Sequence, residues 1–143
     1  DASFDVVLAV ECICHFSDRL KFIAEAKRVL RKGGCLCLTD EVHDRKNSGY
    51  LNNRFFNKIN SVFDGNTNNC SIADYKKAYY EEGFSSALEM DITKNVLPTL
   101  KFIKNILKGK PIEWFTMKVT EDRLMKGRSC YMLYRFSLPV PNG

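Results

Sequence analysis

Five residues of this chain could move protons, and they come in two groups. Glu11 and His15 follow the apolar run Phe4-Asp5-Val6-Val7-Leu8-Ala9-Val10, whereas Asp40, Glu41 and His43 follow Cys35-Leu36-Cys37-Leu38-Thr39. Imidazole titrates near neutral pH and a carboxylate can orient it, so acids and a histidine at one edge suit general acid–base catalysis. The same spacing also allows His15 to close its loop by hydrogen-bonding backbone. Spacing alone leaves both readings open.

For the two groups to meet, the runs before them must be neighbouring strands that end at the same edge. Phe4–Val10 is short, β-branched and almost continuously apolar, which predicts a strand covered on both faces. A loop is expected from Glu11 to Ser17, with Ser17 capping the next helix and Asp18 in its first turn. From Asp18 to Arg31, Leu20, Ile23, Ala24 and Leu30 fall along one helical face. Arg28, Arg31 and Lys32 suit the carboxyl end of that helix, and Gly33-Gly34 is expected to end it. Cys35–Thr39 reads as a second buried strand. Strand, helix and strand make a βαβ unit, with parallel strands and a right-handed crossover. In an open α/β sheet, ligands bind beyond the carboxyl ends of the strands, where the five residues lie.

Residues 41–70 are polar and Asn-rich at both ends around an aromatic patch of Tyr50, Leu51, Phe55, Phe56, Ile59, Val62 and Phe63, in which 55, 56, 59, 62 and 63 are spaced as on a helix. Ser71-x-x-Asp74 resembles a capping box opening a helix through Glu82, stopped by Gly83. Phe84 to Ile92 reads as a strand. Asn95 and Pro98 mark the start of a helix through Lys108, ended by Gly109. Residues 111–128 yield no assignment beyond one short helix around Glu121–Lys126. Cys130–Phe136 is the closing strand.

Composition narrows the classes. A chain of 143 residues with 45% hydrophobic and 27% charged residues reads as one soluble globular core. No apolar run approaches the roughly 18–20 residues needed to span a bilayer, and no basic-then-apolar leader is present. The net charge of +5 is spread over Lys58, Lys76, Lys77, Lys101, Lys104, Lys108 and Lys110 without a basic block, so solvated helix faces are expected and a nucleic-acid partner is not. Of the six cysteines, Cys12, Cys35, Cys37 and Cys130 lie in or beside predicted buried strands, as small hydrophobes. A reduced, cytoplasmic protein is expected. The sequon Asn69-Cys70-Ser71 would matter only on a secreted route. Cys12-x-Cys14-His15 and Cys35-x-Cys37 lack the spacing of a structural zinc site, and no metal is expected.

The stretch from Phe4 to Phe16, continued through Phe22–Leu30 to Lys32-Gly33-Gly34 and Asp40, resembles the fourth- and fifth-strand region of class I S-adenosylmethionine-dependent methyltransferases. The pieces FD-V-V, EC-x-x-HF and RVL-x-x-GG stand in that family's order, and Glu82-Gly83-Phe84 is similar to its later "aGF" turn. The branch most alike methylates hydroxyls of sugars, macrolides and related lipophilic metabolites. The resemblance implies an α/β fold, the C-terminal half of a Rossmann-like methyltransferase sheet (strands four to seven), parallel with an antiparallel final strand. It implies S-adenosyl-L-methionine as cofactor, held in part by Ala9, Val10 and Glu11. His15 matches the family's general base, and Asp40 an acid near the substrate hydroxyl. Residues 41–70 match an insertion that covers the acceptor, so Tyr50, Phe55, Phe56 and Ile59 would line a lipophilic or glycosidic small molecule.

The departure is the family's glycine loop after its first strand, which this sequence does not contain. Gly33-Gly34, read as ending a helix, cannot stand in for it. With the start at Asp1, this implies part of a longer domain whose N-terminal half is the missing partner, and Phe4–Val10 would be an unprotected apolar edge. The alternatives are an N- or C-methyltransferase, or a non-catalytic half-domain acting as a partner subunit.

Overall fold

The computed structural model describes residues 1–43 and 72–140. The predicted aromatic patch with Tyr50, Phe55, Phe56 and Ile59 lies outside the described residues. The described elements are β1 (Phe4–Val10), α1 (Arg19–Val29), β2 (Leu30–His43), α2 (Ile72–Glu81), β3 (Ser85–Asp91), α3 (Thr93–Ile106), α4 (Pro111–Met125) and β4 (Ser129–Ser137). Single 3-10 turns occupy Ile13–His15 and Leu107–Gly109.

The described strands form one sheet in the order β1-β2-β4-β3. β1 and β2 run parallel, with Leu8 opposite Cys37 and Val10 opposite Thr39. β4 enters between β2 and β3, antiparallel to both. The expected βαβ unit and the antiparallel closing strand are therefore present, as is a mixed α/β sheet.

Several boundaries differ from expectation. Asp18, not Ser17, caps α1: its carboxylate accepts the Lys21 backbone N–H at 2.9 Å. α1 stops at Val29, and Gly33-Gly34 lies inside β2 instead of ending the helix. Gly33 adopts φ +79°, and a Cβ on Gly34 would meet the backbone oxygens of Arg31 and Asp5 at 2.9 and 3.0 Å. The pair of glycines thus lets β1 and β2 come together where their register shifts, between Phe4 and Val6. Pro98 sits within α3 instead of at its start. Residues 111–125, expected to hold at most a short helix, form all of α4, with Pro111 in its first turn. Gly127 at φ +63° closes α4, as Arg128 N–H bonds Arg123 C=O and Gly127 N–H bonds Leu124 C=O.

The main core lies on one face of the sheet. Ala9, Leu36, Leu38, Val42, Tyr134 and Phe136 pack there against Ile23 and Ala26 of α1 and Tyr79 of α2. A smaller cluster on the other face joins Leu100, Leu124 and Tyr131. That second cluster does not reach β1, where Phe4, Val6, Leu8 and Val10 alternate outward into solvent, Leu8 being 71% exposed. The strand expected to be covered on both faces buries one. In this chain β1 is an apolar edge strand.

Candidate active site

The parallel pairing of β1 and β2 brings the two groups of polar residues to one edge, and β4 adds a third. Glu11, the first residue past β1, has φ +53°, a left-handed conformation that costs a non-glycine residue about 1 kcal/mol. Its carboxylate accepts the Thr39 hydroxyl at 3.3 Å. Loss of water around that carboxylate raises its pKa, the Thr39 bond opposes the rise, and the charges of Asp40 and Glu41 add to it. The neighbouring Cys12 thiol is also pushed up, first by burial and then by Asp40 and Glu11. Anionic charge is therefore concentrated where β1 and β2 end.

A carboxyl pKa raised by folding means that the native state holds its proton longer than the unfolded chain. Stability should then fall as pH rises from the ordinary carboxylate value of 4.5 through the raised native value, and level off above it. Glu11→Gln removes this dependence, so its stability advantage over the wild type should open across that window and persist at neutral pH. Urea midpoints measured from about pH 4 to 8 check this; parallel pH profiles for the two proteins would contradict it.

Asp40 is 4% exposed, with Arg19 Nη2 at 4.0 Å from its Oδ2. Arg19, at the start of α1, escaped the sequence reading; its position just after the cap of a helix that returns over β2 was the available signal. Glu41 accepts Ser129 Oγ at 2.6 Å and Arg123 Nη2 at 3.2 Å. This junction of β2, β4 and α4 is not foreseen by the sequence, because only a short helix is expected around Arg123 and its partner Glu41 lies 82 residues away. Pro111 and Gly127, which bracket a helix, were the legible clue.

His15 ends the 3-10 turn and is exposed. It lines a depression of about 340 Å³ with Phe16, Ser17, Asp18, Lys21, Phe22 and Glu25. No hydrogen bond or ion pair joins it to Asp40, so the structure brings Glu11 and Asp40 together and leaves His15 apart. Of the three residues expected against the cofactor, Ala9 is buried in the core, while Val10 and Glu11 are exposed. A larger cavity of about 750 Å³ opens between the carboxyl end of β3 and the start of β4, lined by Asp91, Thr93, Lys94, Leu97, Leu124 and Ser129 among others. Thr93 Oγ1 accepts the Tyr131 backbone N–H there at 2.8 Å. No group of acids, cysteines and histidines suited to a metal ion occurs among the described residues. No helix among them is long and apolar enough to cross a membrane.

Comparison with known proteins adds family information. Residues 1–38 match the family described as methyltransferase domain. Over 40 residues the chain is 58% identical to the 27-O-demethylrifamycin SV methyltransferase of Amycolatopsis mediterranei, covering 28% of this chain and 15% of that protein. It is 48% identical over 40 residues to the dimethylglycine N-methyltransferase of Parasynechococcus marenigrum, covering 28% of this chain and 14% of the other. Among solved structures, geranyl diphosphate C-methyltransferase from Streptomyces coelicolor, in complex with Mg2+, geranyl diphosphate and S-adenosyl-L-homocysteine, matches with a TM-score of 0.75 at 18% identity. That match covers 95% of this chain and 48% of the other, so the chain spans about half the length of the structure it resembles.

Proposed function

From a chain related to the class I S-adenosylmethionine-dependent methyltransferases, by sequence in its first 38 residues and by fold over the rest, we propose that it supplies the acceptor-side half of such an enzyme. In this reading β1, β2, β3 and β4 are the fourth to seventh strands of the family's sheet. The exposed outer edge and apolar face of β1 support it, because they are where a further strand and covering helices would pack. The covering piece is an N-terminal half that carries the glycine loop.

The residues present fit one wall of the cofactor site and no more. Backbone at Ala9, Val10 and Glu11 is available at the strand end, but no glycine loop opens a helix in this sequence. The cofactor, when bound, supplies an activated methyl group on a sulfonium. What this chain's residues do is prepare the acceptor. His15, exposed on a depression that it forms with the start of α1, takes the proton from an acceptor hydroxyl. Asp40, fixed in place beside Arg19, positions that hydroxyl and does not orient the imidazole, which it does not touch. The acceptor is a small lipophilic or glycosidic molecule, and the enzyme is cytoplasmic.

The observation that carries hydroxyl methylation is the 58% identity over 40 residues to the 27-O-demethylrifamycin SV methyltransferase. N-methylation is the second reading, favoured by the 48% identity to dimethylglycine N-methyltransferase; an amine acceptor would need less help from a base. The test is to sequence the transcript upstream of Asp1 and to assay its full product with radiolabelled S-adenosylmethionine and hydroxyl or amine acceptors. An upstream glycine loop, hydroxyl methylation and a loss of about 10²–10⁴ in turnover on His15→Ala with unchanged cofactor affinity are expected. A start codon next to Asp1 and no methyl transfer would overturn the catalytic reading.

A further inference from the structure

We propose that the far end of the α3–α4 hairpin is a docking surface for a bilayer that carries anionic headgroups. Toward the sheet, the hairpin packs through Val96, Leu97, Leu100, Met117 and Leu124, with Tyr131 of β4. On the outward face, Phe102 and Ile106 stand one turn apart at 65% and 66% exposure, and Ile112 follows across the turn at 61%. Pro98, one turn earlier, extends the same exposed stripe. Among the described residues, nothing covers these apolar side chains.

Charge is distributed to match. Between Asp91 and Glu113 the sequence holds five lysines and no carboxylate. Lys104 turns inward to pair with Glu121. Lys94, Lys101 and Lys108, seven residues apart, form a row beside the apolar stripe, and Lys110 lies at the turn; all four are exposed. An apolar stripe edged by lysines is the pattern by which a helix lies in a membrane interface. The apolar side chains enter the acyl boundary, and the lysine stems reach back to headgroup phosphates. Nucleic acid would satisfy the lysines and leave Phe102, Ile106 and Ile112 in water. The lipid surface satisfies both. This proposal rests on the hairpin alone and stands whether or not the chain transfers methyl groups.

The test is co-sedimentation of the 143-residue chain with vesicles of phosphatidylcholine, with and without about one quarter phosphatidylserine. Binding is expected to the anionic vesicles, weakened by salt, and at least tenfold weaker on phosphatidylcholine alone. The doublet F102S/I106S and the doublet K101E/K108E should each weaken it at least tenfold, the lysine pair through about fivefold per charge lost. Both pairs are exposed, and circular dichroism checks that each variant stays folded. Absent binding, equal binding to both vesicle types, or binding that neither doublet changes would overturn the proposal. It would also fall if the chain bound RNA with an affinity indifferent to F102S/I106S, or if F102S/I106S merely dissolved a dimer of the chain.

Discussion

Replacing Asp40 by alanine is expected to lower the stability of the chain by about 3–5 kcal/mol, the range for breaking a buried ion pair from one side. The carboxylate is 4% exposed and the Arg19 side chain facing it is 17% exposed, so neither charge is well reached by water. Asp40→Asn keeps the volume and some hydrogen bonding, and should cost clearly less. The two variants therefore separate the structural role from the proposed chemical one. In the full-length product, Asp40→Asn should reduce turnover by about 10²-fold or more while the protein stays folded and the cofactor still binds. If turnover follows stability in both variants, Asp40 is a structural residue and its proposed role in positioning the hydroxyl fails. Urea denaturation and steady-state kinetics on the same preparations decide it.

Phe136→Ala should be comparably damaging for an unrelated reason. The ring is fully buried, stacked on Tyr79 at 4.2 Å between centroids and close to Tyr134 at 5.4 Å. It joins β4, the strand between β2 and β3, to α2. Removing a buried phenylalanine costs about 3–5 kcal/mol from lost transfer energy and the cavity left behind. Leu8→Ala serves as the contrast. Leu8 is as apolar, but its side chain is in water in this chain, and the expected change is within about 0.5 kcal/mol. Denaturation midpoints check both. A small effect at Phe136 together with a large one at Leu8 would mean that the two faces of the sheet have been interchanged.

That contrast marks where sequence reading reaches its limit. The period and length of Phe4–Val10 and of Cys35–Thr39 specify strands, and the apolar face of Leu20, Ile23 and Ala24 the helix between them, because these signals are local and repeat along the chain. The parallel pairing of β1 with β2 followed from the same local signals, since strand, helix and strand in succession make a βαβ unit. Glu11 and Asp40 could be placed at one edge for that reason. His15 could not be placed. Four residues separate it from the strand end, and the geometry of such a connection depends on contacts that no spacing encodes.

The α4 helix was missed through a different cause. Its apolar residues face several neighbours and do not form one stripe, so periodicity was weak, and Pro111 and Gly127 were the surviving local evidence. Glycine was misread for a third reason: Gly33-Gly34 follows a helix, but a close approach between strands, invisible in one dimension, is what excludes a side chain there. By itself, then, the sequence determined the strands β1 and β2 with the helix between them, the closing strand, and the residue types available for chemistry. The tertiary structure alone decided that β4 enters between β2 and β3, that Arg19 reaches Asp40 and Arg123 reaches Glu41, and that one face of β1 is bare. Local propensity acts over a few residues, whereas pairing between distant segments depends on which surfaces can be buried together.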